Sequence, residues 1–168
     1  MPTNLPLTPT DLPHLRQCLA LAAEALHAGD EPFGSVLVGT DGTVLAQARN
    51  RVNELNSLAH PELALAQWAA AHLAPDARAA ATLYTSGEHC PMCATAHGWV
   101  GLGKIVYLAS AQQLTHWLQE IGVPPGPVHM LPVQQLLADA QVAGPAEGEL
   151  LQAIRALHVS YHTRPKTA

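Results

Sequence analysis

The chain has 168 residues, 48% of them hydrophobic and only 12% charged, with a formal net charge of −5. Disorder requires low apolar content and high net charge, so this composition excludes it and predicts one globular domain over residues 1–168. The acid excess also argues against a sequence-independent nucleic-acid binder, which needs a basic surface.

Thr8 to Gly29 reads as the first helix. Leu15, Leu19, Ala22 and Leu26 form one apolar stripe, with Thr8 or Thr10 as a cap and Gly29 as a stop. Pro32-Phe33-Gly34 is a turn. Ser35–Val38 and Val44–Ala48 read as strands of a hairpin closed by Thr40-Asp41-Gly42-Thr43. Arg49 to Ala59 holds three Asn and one Ser and reads as a polar loop. A second helix starts near His60, with Pro61 in the first position where its missing N–H does no harm. It runs to about Leu73 and is closed by Pro75. Ala81–Thr85 is a strand, Cys90–Val100 a helix ended by Gly101 or Gly103, Ile105–Leu108 a strand, and Ala111–Gly122 a helix. Val123 to Pro132 contains four prolines and one glycine and is irregular. A loop from Gln134 leads to a short strand near Gln141–Ala143, and Glu147–Tyr161 is the last helix. Strands alternating with helices predict a mixed sheet covered by helices.

Met1 to Asp11 lacks a basic segment followed by an apolar one, so no signal peptide is expected. The apolar run Leu19–Ala28 is far shorter than the ~20 residues that span a bilayer, so no membrane contact is expected. Three cysteines make no disulfide framework. Cys18 lies in an apolar helical run as a buried thiol. A cytoplasmic protein with reduced thiols is expected.

The chemistry concentrates in His60-Pro61-Glu62 and, after 27 residues, Cys90-Pro91-Met92-Cys93. Residues three apart share a helical face, so both sulfurs can meet one metal. Thiolates at a helix N-terminus are favoured by its dipole. His60, at another helix start, is the third candidate ligand. Three protein ligands leave a tetrahedral zinc an open position, and such a zinc lowers the pKa of water there towards ~7. Glu62, two residues from His60, is then placed to move protons. A CxxC alone also fits a thiol–disulfide pair or half of a structural zinc site. His-x-Glu followed by Cys-x-x-Cys is the more specific signature, that of zinc deaminases.

With Pro32-Phe33-Gly34, Arg49-Asn50, Ala59-His60-Pro61-Glu62, Thr82-Leu83-Tyr84-Thr85 and Cys90-Pro91-Met92-Cys93, the chain resembles the cytidine and deoxycytidylate deaminase superfamily. The nearest branch holds guanine deaminase, cytosine deaminase and tRNA adenosine deaminase. The resemblance runs from about Leu15 to Leu108. It implies a three-layer α-β-α fold with a mixed five-stranded sheet, Zn2+ held by His60, Cys90 and Cys93, and Glu62 as the catalytic proton carrier. It implies that Asn50 hydrogen-bonds the substrate; the residue itself also fits a turn opening the loop. Phe33 is assigned either to the base face or to the core. The backbone N–H groups of Ala59 and Cys90 are implied to face the substrate.

Two positions depart from the family pattern. His89 stands where a proline is usual, and either lines the pocket or caps the loop. Ser110-Ala111-Gln112-Gln113 carries no acid where guanine deaminases have one. Trp117, on the following helix, is either a pocket wall or core. Tyr161 and His162 either cover the site or are a surface helix end.

The implied function is hydrolytic deamination of a small-molecule nucleobase or nucleoside (guanine, cytosine or a related amino-heterocycle), in a homodimer. The alternatives are a tRNA-specific adenosine deaminase, a silent zinc-binding scaffold and a thiol–disulfide enzyme. Gln134 to Ala168 holds only Arg155, Arg164 and Lys166 as cations, which argues against tRNA. A silent scaffold has no need of Glu62.

Overall fold

The computed structural model describes residues 4–165, so Lys166 lies outside the described residues. The elements in order are α1 (Leu12–His27), β1 (Gly34–Val38), β2 (Val44–Arg49), α2 (Pro61–His72), α3 (Pro75–Ala80), β3 (Thr82–Gly87), α4 (Pro91–Val100), β4 (Lys104–Ala109), α5 (Ala111–Glu120), α6 (Val133–Leu136), β5 (Val142–Ala143) and α7 (Gly148–Thr163). They build one five-stranded mixed sheet in the order β2-β1-β3-β4-β5. The hairpin partners β1 and β2 are antiparallel, as are β1 and β3, whereas β3, β4 and β5 run parallel.

Alternation along the strands assigns side chains to two faces. Val36 and Val38, Tyr84, and Val106 and Leu108 point to one side, where α1, α5 and α7 supply Leu15, Cys18, Leu21, Trp117, Leu150 and Ile154. Leu37 and Leu83 point to the other, against Leu65, Ala66 and Ala69 of α2. Ile105 and Tyr107 meet Ala94 of α4 and Val133 of α6. Helices thus cover both faces, and β1 is buried throughout. Gly34 shows how closely α1 approaches: a Cβ there would lie 2.4 Å from Leu21 Cβ and 2.6 Å from the Cys18 carbonyl oxygen.

Two short helices interrupt stretches that the residues alone do not mark as helical. Pro75 opens α3 at its first position instead of merely closing α2, since proline tolerates only that end of a helix. Val133–Leu136 makes one helical turn ahead of β5. The threonines before α1 do not cap it. Asp11 is the N-cap residue, and its carboxylate accepts from the Thr8 N–H and hydroxyl and from the Tyr84 hydroxyl. No helix of the described residues is long and apolar enough to cross a membrane.

Candidate metal and active site

Two X-Pro steps place the ligands. The residue before a proline is driven out of the helical region; His60 (φ −82, ψ 143) and Cys90 (φ −66, ψ 164) are both extended N-cap residues before Pro61 and Pro91. Each proline then starts its helix. Cys93 follows one turn into α4, and α4 packs against α2. The result is one cluster: the ligand atoms of His60, Cys90 and Cys93 all lie within 4.8 Å of one another.

The cluster has the dimensions of a zinc site. His60 Nδ1 is 3.5 Å from Cys90 Sγ and 3.6 Å from Cys93 Sγ. Tetrahedral bonds of about 2.3 Å to sulfur and about 2.05 Å to nitrogen require an N···S span of about 3.6 Å. A histidine nitrogen with two thiols is also the softer donor set that zinc accepts. The hydrogen bond from Cys93, then the one with His60, pulls the Cys90 thiol below its ordinary range. Cys93 is pushed up by holding that bond and by burial.

Glu62 sits at the second position of α2 and is only 5% exposed. Burial raises its carboxyl above the usual range, against the lowering effect of the Thr85 hydroxyl, which donates to Glu62 Oε1 at 2.7 Å. Its charge acts on both His60 and Cys93. Ser35 Oγ donates in turn to Thr85 Oγ1 at 2.9 Å. Neither hydroxyl stands out in the sequence; the available signal is a polar residue at an inward position of each of two adjacent buried strands.

Asn50 is buried at the end of β2, where its N–H donates to the Phe33 carbonyl. Its Oδ1 accepts from the Val52 N–H at 3.2 Å, so the side chain does form the turn, and its amide NH2 stays available. Phe33 packs edge-on against His158 of α7 (centroids 4.9 Å apart) and against Gly87, where a Cβ would lie 3.0 Å from the ring. The Ala59 N–H donates to the Asn56 carbonyl and is thereby committed inside the loop. Among the described residues the Cys90 N–H finds no backbone acceptor.

His89 is fully buried, edge-on to His97 at 5.2 Å, with neither ring nitrogen hydrogen-bonded within the protein. Burial holds its imidazole neutral, well below the ordinary histidine range. Trp117 lies in the core beside α1 and α7. Tyr161 accepts from Asn53 Nδ2 at 3.1 Å and carries the Arg164 guanidinium 4.0 Å above its ring. Helix α7 thereby reaches over the same chain's Asn50–Ala59 loop. Glu31 stands at this edge, its charge acting on both His60 and His162. Loop cations are paired: Arg49 with Asp30 and Glu54, and Arg51 with Glu54. A separate open cavity of about 750 Å³, lined by His97, Trp99, Lys104 and Asp139 among others, includes none of the three ligands.

The fold and the metal cluster together define a zinc-dependent hydrolytic deaminase. The chain belongs to the family described as "Cytidine and deoxycytidylate deaminase zinc-binding region", which matches residues 9–109. It is 31% identical over 122 residues to a Schizosaccharomyces pombe protein named "Probable cytosine deaminase", covering 71% of this chain and 72% of that one. It is 35% identical over 96 residues to the tRNA-specific adenosine deaminase of Agrobacterium fabrum, covering 56% of this chain and 62% of the relative. Among solved structures it resembles a guanine deaminase from Nitrosomonas europaea, with TM-score 0.67 and 25% identity over 98% of this chain and 89% of that one.

Proposed function

We propose that the protein deaminates a small nucleobase or nucleoside, such as guanine, cytosine or a related amino-heterocycle, with Glu62 as its proton carrier. The observation that carries this reading is a buried carboxylate two residues from a metal ligand, close enough to act electrostatically on the whole cluster. Bound zinc, held by His60, Cys90 and Cys93, supplies the Lewis acidity that makes water nucleophilic near neutral pH. Glu62 takes one proton from the attacking water and gives it to the ring nitrogen, then takes the proton of the hydroxyl now on the ring carbon and delivers it to the departing amine. Water adds across the ring C=N bond, the exocyclic C–N bond breaks, and ammonia leaves a carbonyl behind. The unengaged N–H of Cys90 is available to the oxygen that develops on the ring carbon. Asn50 donates to an acceptor on the ring edge, and Phe33 packs against the ring.

A small substrate fits the charges better than tRNA. Arg49 and Arg51 are neutralised by acids, and Glu31 adds negative charge at the site's edge. Phosphates would require free cations there. The serine and glutamine that stand where guanine deaminases have an acid form a capping box for α5, and Glu120 pairs with Arg155. The chain acts as one domain in the reducing cytoplasm, where its thiols stay available to metal. Exposed Trp99 on α4, with Leu55 and Leu58 on the loop, supports a homodimer.

The test is ammonia release from zinc-loaded protein, offered guanine, adenine, cytosine, their nucleosides and a tRNA anticodon stem. At least one small compound should be turned over, with activity lost on chelation. Glu62→Ala should keep zinc and fold but lose at least about 10⁴-fold in kcat, the upper end for a general acid–base group. Turnover of the RNA alone would overturn the small-substrate reading; activity of Glu62→Ala within tenfold of the parent would move the proton role elsewhere.

A further inference from the structure

Resting on the reading of Glu62 as the proton carrier, we infer that Ser35 and Thr85 are positioning residues that reserve Glu62 Oε1 as an acceptor and leave Oε2 to carry the proton. The two hydroxyls form a directed chain. Ser35 Oγ–H donates to Thr85 Oγ1 at 2.9 Å, and Thr85 Oγ1–H donates to Glu62 Oε1 at 2.7 Å. A threonine hydroxyl has one proton to give, and here it goes to the carboxylate. If it turned towards Ser35, the Ser35 hydroxyl could no longer donate to Thr85 and Glu62 Oε1 would lose its donor, both inside the protein core.

The backbone enforces the chain. Ser35 and Thr85 are directly paired across β1 and β3. Both lie on the sheet face that carries Leu37 and Leu83, the face covered by α2, which brings Glu62. Both are 0% exposed, so no solvent competes for either hydroxyl. Burying hydroxyls in the middle of apolar strands is costly unless each is hydrogen-bonded, and these two are satisfied only by each other and by Glu62 among the described side chains.

The arrangement works in both protonation states. Ionised Glu62 accepts from Thr85 at Oε1. Once Glu62 gains a proton, Oε1 is still occupied as an acceptor, so the proton resides on Oε2. The carboxyl therefore does not rotate between taking the water proton and giving it up. The residues act on turnover and not on substrate affinity.

Thr85→Val removes the hydroxyl at nearly constant shape, Thr85→Ser retains it without the methyl, and Ser35→Ala removes the upstream donor. Thr85→Val should lower kcat by about 10- to 100-fold, the usual range for partners that orient a reacting group, with KM within about twofold and zinc content unchanged. Thr85→Ser should restore kcat to within about threefold of the parent, and Ser35→Ala should fall between them. The kinetic probe is whichever of guanine, adenine, cytosine and their nucleosides the parent turns over fastest. Infrared difference spectra of the zinc-loaded parent against Glu62→Gln isolate the Glu62 carboxyl band without any substrate. Thr85→Val should shift that band, Ser35→Ala should shift it less, and Thr85→Ser should leave it in place. An unmoved band, parental kcat in Thr85→Val, or equal losses in Thr85→Val and Thr85→Ser would overturn the positioning role. Glu62→Gln with near-parental activity would instead overturn the proton-carrier reading on which it rests.

Discussion

Asn50 shows how one side chain divides its two ends. Its carbonyl oxygen closes the turn onto the Val52 N–H, and its NH2 is left over. Asn50→Asp keeps the turn acceptor and removes the donor; Asn50→Ala removes both. A buried hydrogen bond left unmade costs about 1–3 kcal/mol. Both variants should therefore lose about ten- to a hundredfold in kcat/KM, while only Asn50→Ala also melts at a lower temperature. Parental kinetics in Asn50→Asp would return Asn50 to the turn alone. At this scale the sequence reveals the residues whose chemistry is rare. Cysteines three apart, and a His-x-Glu before a helix, have few competing uses. Ser35 and Thr85 are ordinary strand residues by composition, and their importance arises from a cross-strand register that no local pattern encodes. The Ala59 N–H illustrates the opposite limit, since a backbone group leaves no trace in residue type.

Between elements, Glu88 links the parts that surround Cys90. Its N–H donates to the Ala109 carbonyl at 2.8 Å, while its carboxylate accepts from the N–H groups of Ala111 and Val133, each at 2.8 Å. One buried acid thus joins the loop before α4 to the starts of α5 and α6. Glu88→Ala strands two buried donors at about 1–3 kcal/mol each. It should lower the unfolding free energy by about 2–6 kcal/mol in urea titration and weaken zinc binding through the adjoining Cys90 loop; a loss below about 1 kcal/mol would mean that water replaces the carboxylate. Most helices and the hairpin are readable without coordinates, because α1 and α7 follow an apolar period, Pro61 marks the start of α2, Gly101 the end of α4 and Gly42 the turn. The one-turn α6 and the six-residue α3 are not. Helices that short owe their existence to neighbours, and Pro75 signals an end as readily as a beginning. Ser110 and Gln113 did carry a readable capping box.

For the molecule as a whole, burial of α7 makes folding sensitive to acid. Burial pushes His158 down to about 3, helped by the nearby His162. The ordinary value is 6.5, so as pH falls the unfolded chain binds this proton first. Stability is therefore full above the unfolded value and is lost on descending from it towards the folded one. One such group contributes a slope of about 1.4 kcal/mol per pH unit in that window. His158→Phe cannot take the proton and should show a shallower loss of unfolding free energy between pH 6.5 and 4.5 by that amount. Equal slopes in parent and variant would place the acid sensitivity elsewhere.

The hydrogen bond between Asn53 and Tyr161 attaches α7 to the Asn50–Ala59 loop, and the Gly29 carbonyl, accepting from both Arg164 and Asn53, ties the two together a second time. The metal ligands, Glu62 and its hydroxyl chain stand instead on α2, α4, β1 and β3. The ligand cluster and its carboxylate thus occupy different pieces of chain from Asn50, which we propose to contact the substrate, and from α7, which lies beyond the residues 9–109 that match the family. On the proposed role of Asn50, such a division separates the parts that select a substrate from the parts that react with it. Grafting the loop and α7 of one relative onto the ligand cradle of another is the corresponding route to exchanging specificities in the laboratory.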